Sequence, residues 1–179
     1  MKEYIALENY YMEIKDTEND AITKVYYKDG IGKLIMPNGI YTWANGTEAY
    51  LVDDENKQIQ SAEMDSSLLI SNEYVGSMLP GYSKSALQKF VLAGDINTSV
   101  KLKNYDGIKY YMITANEEPK KTTIWIQKDS LLLSQLNIEL GDIQISYYYD
   151  ITFDKVTNED VKKPNIEEYT LVDVDVKQE

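Results

Sequence analysis

The stretch Ile143-Gln144-Ile145-Ser146-Tyr147-Tyr148-Tyr149-Asp150-Ile151-Thr152-Phe153 alternates apolar and polar side chains with a single exception. Ile143, Ile145, Tyr147, Tyr149, Ile151 and Phe153 share one parity. Gln144, Ser146, Asp150 and Thr152 share the other, and Tyr148 breaks it. Successive side chains of a strand point to opposite faces, so this segment predicts one long strand with a buried face. Shorter versions recur at Tyr10/Met12/Ile14, Ile96/Thr98/Val100/Leu102, Ile108/Tyr110/Met112, Ile124/Ile126 and Val172/Val174/Val176. Between them stand Asp29-Gly30, Asn38-Gly39, Asn45-Gly46 and Asp106-Gly107, pairs that accept the positive φ of tight hairpin turns. The order predicts roughly ten short strands in an antiparallel meander.

One region departs from this period. From Asp65 to Leu79, Leu68, Leu69, Val75, Met78 and Leu79 fall at helical spacings, with Asp65 or Ser66 as N-cap and Pro80-Gly81 as the stop. Ser83 opens a second helical pattern carrying Leu87, Phe90 and Val91, which ends at Gly94. The expected fold is therefore mainly β: an antiparallel open (unclosed) β-barrel or curved sheet, with one or two helices packed on its concave face. Length matches one domain spanning residues 1–179. Some predicted strands are apolar on both faces, as at Ile40-Tyr41-Thr42-Trp43-Ala44, Ile124-Trp125-Ile126 and Leu131-Leu132-Leu133. Two-sided apolarity fits either strands lining a covered cavity or a well-covered core.

Composition excludes several chemistries. Thirty acidic side chains face 18 Lys, with no Arg, for a net charge of −12. Such a chain is repelled by nucleic-acid backbones, so no nucleic-acid partner is expected. His and Cys are both absent, which removes Ser-His and Cys-His nucleophiles, His- or Cys-ligated metals and redox thiols. No window resembles a signal peptide or a membrane-spanning helix.

Three segments carry a resemblance to a known family. They are Lys24-Val25-Tyr26-Tyr27-Lys28-Asp29-Gly30, Gly39-Ile40-Tyr41-Thr42-Trp43, and the run from Asn45 through Tyr50 and Asp53-Asp54-Glu55-Asn56 to Lys57. With the tail Asp160-Val161-Lys162-Lys163-Pro164-Asn165-Ile166-Glu167-Glu168-Tyr169, they resemble the LolA/LolB-like lipoprotein-carrier superfamily, in a form of the Gram-positive envelope. The resemblance implies an incomplete barrel around a hydrophobic cavity, helices acting as lid or plug, and non-catalytic binding of lipids or lipoprotein acyl chains. The carriers hold the lid closed with a buried Arg, which this chain lacks, and that difference weighs against energy-coupled shuttling. The same resemblance implies a place on the extracellular face of the cell membrane, tethered by a lipidated Cys or a helix upstream of Met1.

The cavity expectation names candidates: Tyr41, Trp43, Tyr50, Tyr110, Met112 and Trp125 on strands, and Leu68, Leu69, Val75, Met78 and Leu79 on the first helix. Met re-packs easily and Tyr anchors a polar headgroup, so the set suits an adaptable apolar site; it equally suits ordinary core. Other constellations read as scaffold. Asp16-Thr17-Glu18-Asn19-Asp20 resembles the start of a calcium loop, but Ala21 replaces the required Gly and Tyr27 the terminal Glu. Ser83-Lys84-Ser85 reads as a cap with a surface Lys, and no carboxylate pair is marked for glycoside hydrolysis. We expect no enzyme activity, no cofactor and a monomer that binds a lipid or acylated peptide. The alternative is a ligand-independent sensor or protein-interaction domain of an envelope signalling or sporulation protein, acting through a sheet face or an edge strand.

Overall fold

The computed structural model describes residues 9–46, 48–61, 97–130 and 132–172. They form twelve strands: β1 (Asn9–Asp16), β2 (Ala21–Lys28), β3 (Ile31–Ile35), β4 (Tyr41–Ala44), β5 (Ala49–Asp53) and β6 (Gln58–Ser61). There follow β7 (Asn97–Tyr105), β8 (Ile108–Glu117), β9 (Lys120–Gln127), β10 (Leu133–Leu140), β11 (Ile143–Phe153) and β12 (Thr170–Leu171). The alternating stretch that opens the reading is β11, residue for residue. All twelve strands join one sheet in the order β12-β6-β5-β4-β3-β2-β1-β11-β10-β9-β8-β7, and the sheet is not closed.

The sheet is mixed, which corrects the expectation of purely antiparallel pairing. Hairpin neighbours such as β7–β8 and β8–β9 are antiparallel, but β12 pairs with β6 in parallel. A hairpin can only reverse the chain; β12 reaches β6 through the long connection after β11, which frees its direction. The helices expected from Asp65 to Leu79 and from Ser83 to Gly94 lie outside the described residues. Among the described residues the helical structure is one 3₁₀ turn, Ile166–Glu168.

Turn chemistry explains the hairpins. Asp106 and Gly107 have φ of 48° and 82°, left-handed at both central positions, and Asp29-Gly30 repeats this with 50° and 85°. That geometry matches the twist of flanking strands and is available at low cost only to Gly, Asn and Asp.

The chain gathers into two compact units. The first comprises Met1–Tyr4, Glu13–Ile22 and Asn72–Ile151; the second comprises Ile5–Met12, Thr23–Ser71 and Thr152–Glu179. In the first, register sets Ile113 opposite Ile124, and Ile124 opposite Leu136, so these side chains share a face. Ile113, Ile124, Ile126 and Leu133 are almost fully buried. The opposite face is also dry at its centre: Thr114 and Thr123 are buried and their hydroxyls meet at 3.3 Å. Burial pushes the Tyr149 phenol on β11 up to about 12.

In the second unit Tyr41, Val52 and Ile59 stand in cross-strand register and form a core with Trp43. Ala44 and Ala49 lie on the reverse face against Tyr27, which stacks on Tyr10 at 5.2 Å.

Ile124 is 1% exposed, so Ile124→Val should lower unfolding free energy by about 0.5–1.5 kcal/mol and Ile124→Ala by about 2–5 kcal/mol. Val100, 53% exposed in the same cross-strand row, should tolerate Ala within about 0.5 kcal/mol. Urea titration followed by circular dichroism checks both.

Candidate functional site

The aromatic residues of β4 and β5 meet because of register. Trp43 faces Tyr50 directly, and their rings stack at 5.9 Å; Tyr41 faces Val52 one row away. The chain's own segment after β11 then covers this row. Asn9 begins the covering: its Nδ2 donates to the Val156 carbonyl at 2.9 Å, and the Val156 N–H donates to its Oδ1 at 3.0 Å. Trp43 Nε1 donates to the Val161 carbonyl at 2.8 Å, with both residues buried. Pro164 is buried in the same segment. Further on, the Tyr169 hydroxyl donates to Asp54, and Thr170 and Val172 donate to the carbonyls of Lys57 and Ile59 at 2.8 and 2.9 Å. Residues 154–169 thus act as a strap, ended by β12.

Charge pins the strap at its middle. Lys163 Nζ donates to both Glu48 oxygens, at 2.7 and 2.9 Å, and stands 5.9 Å from the Trp43 ring centroid and 5.4 Å from that of Tyr50. Cation–π attraction adds to the ion pair there. The Lys163 hydrogen bond holds the Glu48 carboxyl below its ordinary value, and Glu48 in turn raises the Lys163 ammonium. Asp160 is also lowered, first by the Thr157 hydroxyl and then by the Thr157 amide, at 2.7 and 2.8 Å. The Tyr169 phenol is held well above its usual range, chiefly by its bond to Asp54.

The first unit carries a different patch. Met112 faces Trp125 across β8 and β9, and the Tyr110 ring meets the Trp125 ring edge-on at 6.0 Å. Lys101 faces Met112 and Lys103 faces Tyr110, so all five side chains lie on one side of the strands. Tyr105 and Ile108, paired at the hairpin turn and 67% and 46% exposed, extend this face. Trp125 Nε1 is buried and has no hydrogen-bond partner among the described residues. Buried N–H groups are almost always paired, which sets this indole donor apart.

The expected cavity residues therefore fall in two groups. Tyr41, Trp43 and Tyr50 belong to the second unit, under the strap; Tyr110, Met112 and Trp125 belong to the first; Leu68, Leu69, Val75, Met78 and Leu79 lie outside the described residues. Sequence reasoning missed Glu48, Val161 and Lys163, the residues that hold the strap. The spaced apolar set Val156, Val161 and Pro164 in an otherwise polar tail was the available signal. Asp16–Asp20 forms a turn whose carboxylates are engaged locally: Asp16 accepts from the Glu18 amide and the Asn19 side chain, and Asp20 pairs with Lys15 at 2.7 Å. Among the described residues no three Asp or Glu side chains converge as metal ligands.

No protein-family model matches the chain, and no curated protein matches it. The resemblance to lipoprotein carriers gains no support from either. Solved structures do match. An uncharacterized conserved protein from Thermus thermophilus is similar with a TM-score of 0.60 and 7% identity, over 93% of this chain and 91% of its own. That likeness is one of fold. PNGF-II gives a TM-score of 0.36 at 7% identity, over 94% of this chain and 31% of its own, too slight to bear on fold or function.

The strap dictates a pH response. Glu48 and Asp160 titrate lower folded than unfolded, so their contribution is complete above their ordinary values of 4.5 and 3.8 and is lost as pH falls below them. Lys163 has the opposite sign: its share is complete below 10.5 and fades as pH rises beyond it. Thermal melts between about pH 5 and pH 3 should show falling stability, with a shallower fall in Glu48→Gln. Trp43→Phe strands the buried Val161 carbonyl and should lower unfolding free energy by about 1–3 kcal/mol in urea titration.

Proposed function

We propose that this protein is a non-catalytic binding module of the cell envelope that takes a hydrophobic ligand, the acyl chain of a lipid or an acylated peptide. The ligand lies on the face bearing Tyr110, Met112 and Trp125. The observation that carries this reading is the buried, unpaired Nε1 of Trp125 beside Met112. An ester or carboxylate oxygen at the head of an acyl chain supplies the acceptor that the described residues do not. Met112 and the two rings then receive the first methylenes, and exposed Lys101 and Lys103 on the same face meet an anionic headgroup.

The energies suit exchange with membranes. About ten buried methylenes at ~0.8 kcal/mol each favour binding by roughly 8 kcal/mol before entropic costs. A bilayer offers the same chain nearly the same energy, so the ligand is handed on rather than trapped. The family resemblance in the sequence supports the same assignment, as it does an extracellular, membrane-tethered location.

A second reading has its own observation. Val100 and Leu102 on β7, the strand that ends the sheet order, are 53% and 56% exposed. A nine-residue end strand with two exposed apolar side chains on one face offers pairing to an extended segment of another envelope protein.

Native mass spectrometry with phospholipids and lipopeptides, together with titration of a fatty-acid probe, separates the two. Trp125 emission should respond at micromolar probe, whereas Trp43, hydrogen-bonded under the strap, should stay silent. Trp125→Phe should weaken retention roughly tenfold, the worth of one hydrogen bond. No retained lipid and no Trp125 response would defeat the lipid reading and leave the edge-strand reading standing.

A further inference from the structure

A cleft of about 240 Å³ opens in the second unit, at the end of the strap away from β12. Its apolar floor is Ile31, Trp43 and Val161. Lys28, Lys162 and Lys163 stand on its rim, with Asp29 the one acidic side chain among its lining residues. Around the cleft the three lysines are balanced by Asp29 and by Glu48 and Glu159, the carboxylates paired to two of them. Two of the three are already committed: Lys163 to Glu48 at 2.7 Å and Lys162 to Glu159 at 3.0 Å. Lys28 is half-buried and forms no ion pair among the described residues, although 30 acidic side chains compete for 18 Lys. Asn158, also on the rim, likewise makes no hydrogen bond among the described residues, so its amide is available to a ligand.

We infer that this cleft binds a small monocarboxylate with a short apolar body. One uncommitted ammonium neutralises one charge, and the Asn158 amide can donate to the second carboxylate oxygen. A phosphate dianion would need a second free cation, which the Glu48 and Glu159 pairs withhold. The apolar floor takes a few methylenes or one ring, and the volume admits no long chain. The carboxylate can come from a free small acid or from the C-terminus of a peptide. This site is separate from the acyl-chain face and stands or falls independently of it.

The test uses the full chain with Trp125→Phe, so that Trp43 alone reports, and follows the Trp43 Nε1–H resonance by two-dimensional NMR. Probes are butanoate, butanamide, butylammonium and inorganic phosphate, then one short peptide with a free and with an amidated C-terminus. Butanoate should shift the Trp43 resonance saturably, while butanamide, butylammonium and phosphate leave it in place. Lys28→Ala should weaken butanoate roughly tenfold, Lys28→Arg should restore it, and Lys120→Ala in the other unit should leave butanoate affinity unchanged. A free-acid peptide binding more tightly than butanoate names a peptide terminus as the source; the reverse names a small acid. Equal response to butanoate and butanamide, equal response to phosphate, or an unchanged affinity in Lys28→Ala would overturn the inference.

Discussion

The hydrogen bond from Trp43 Nε1 to the Val161 carbonyl is the contact on which the second unit depends. It satisfies a buried indole donor and a buried backbone acceptor at once, each of which would otherwise carry a desolvation penalty. It also fixes where the strap crosses the aromatic row. Tyr41, Trp43, Val52 and Ile59 are too apolar to face water, and no hairpin partner covers that side of them. The strap does so, and Asn9, Glu48, Asp54 and β6 secure it along its length. One consequence is the parallel pair β12–β6, since a chain returning through a strap need not arrive as a hairpin would.

The first unit solves its problem differently. Its hairpins stack Ile113 on Ile124 and Tyr111 on Ile126 into a core on one face. The other face runs from the buried Thr114–Thr123 pair, through Met112 and Trp125, to Tyr105 and Ile108 at the exposed turn. This face carries at its middle a buried indole donor with no acceptor among the described residues, and lysines along its β7 strand. The two aromatic groups that look alike as residue types therefore differ in one atom's environment: one indole nitrogen has an acceptor and the other has none.

Among the carboxylates with displaced ionisation, Asp16, Asp53 and Asp160 are set by local turn hydrogen bonds, Asp20 by Lys15, and Glu48 by its lysine on the strap. Such shifts reflect structural capping and pairing. The fold is shared with a thermophile protein at 7% identity, and a fold of this kind does not choose a function by itself.

What the sequence determined by itself was what local physics controls. The two-residue period of Ile143–Phe153 and the Asp-Gly turns place strands and hairpins, because side-chain alternation and positive φ are properties of neighbours in the chain. The mixture of Tyr, Trp and Met named residues that lie at both surfaces. It could not say which of them stay available. That depended on contacts more than a hundred residues apart, such as Trp43 with Val161, Glu48 with Lys163 and Asn9 with Val156. No periodicity encodes a strap without regular structure, and a lone Lys163 or Glu48 in a charged segment looks like any solvated side chain. Only the tertiary structure decided that the buried Trp43 indole nitrogen has an acceptor and the buried Trp125 nitrogen has none among the described residues, because hydrogen-bond satisfaction is a property of what the folded chain brings near an atom, not of the residues beside it.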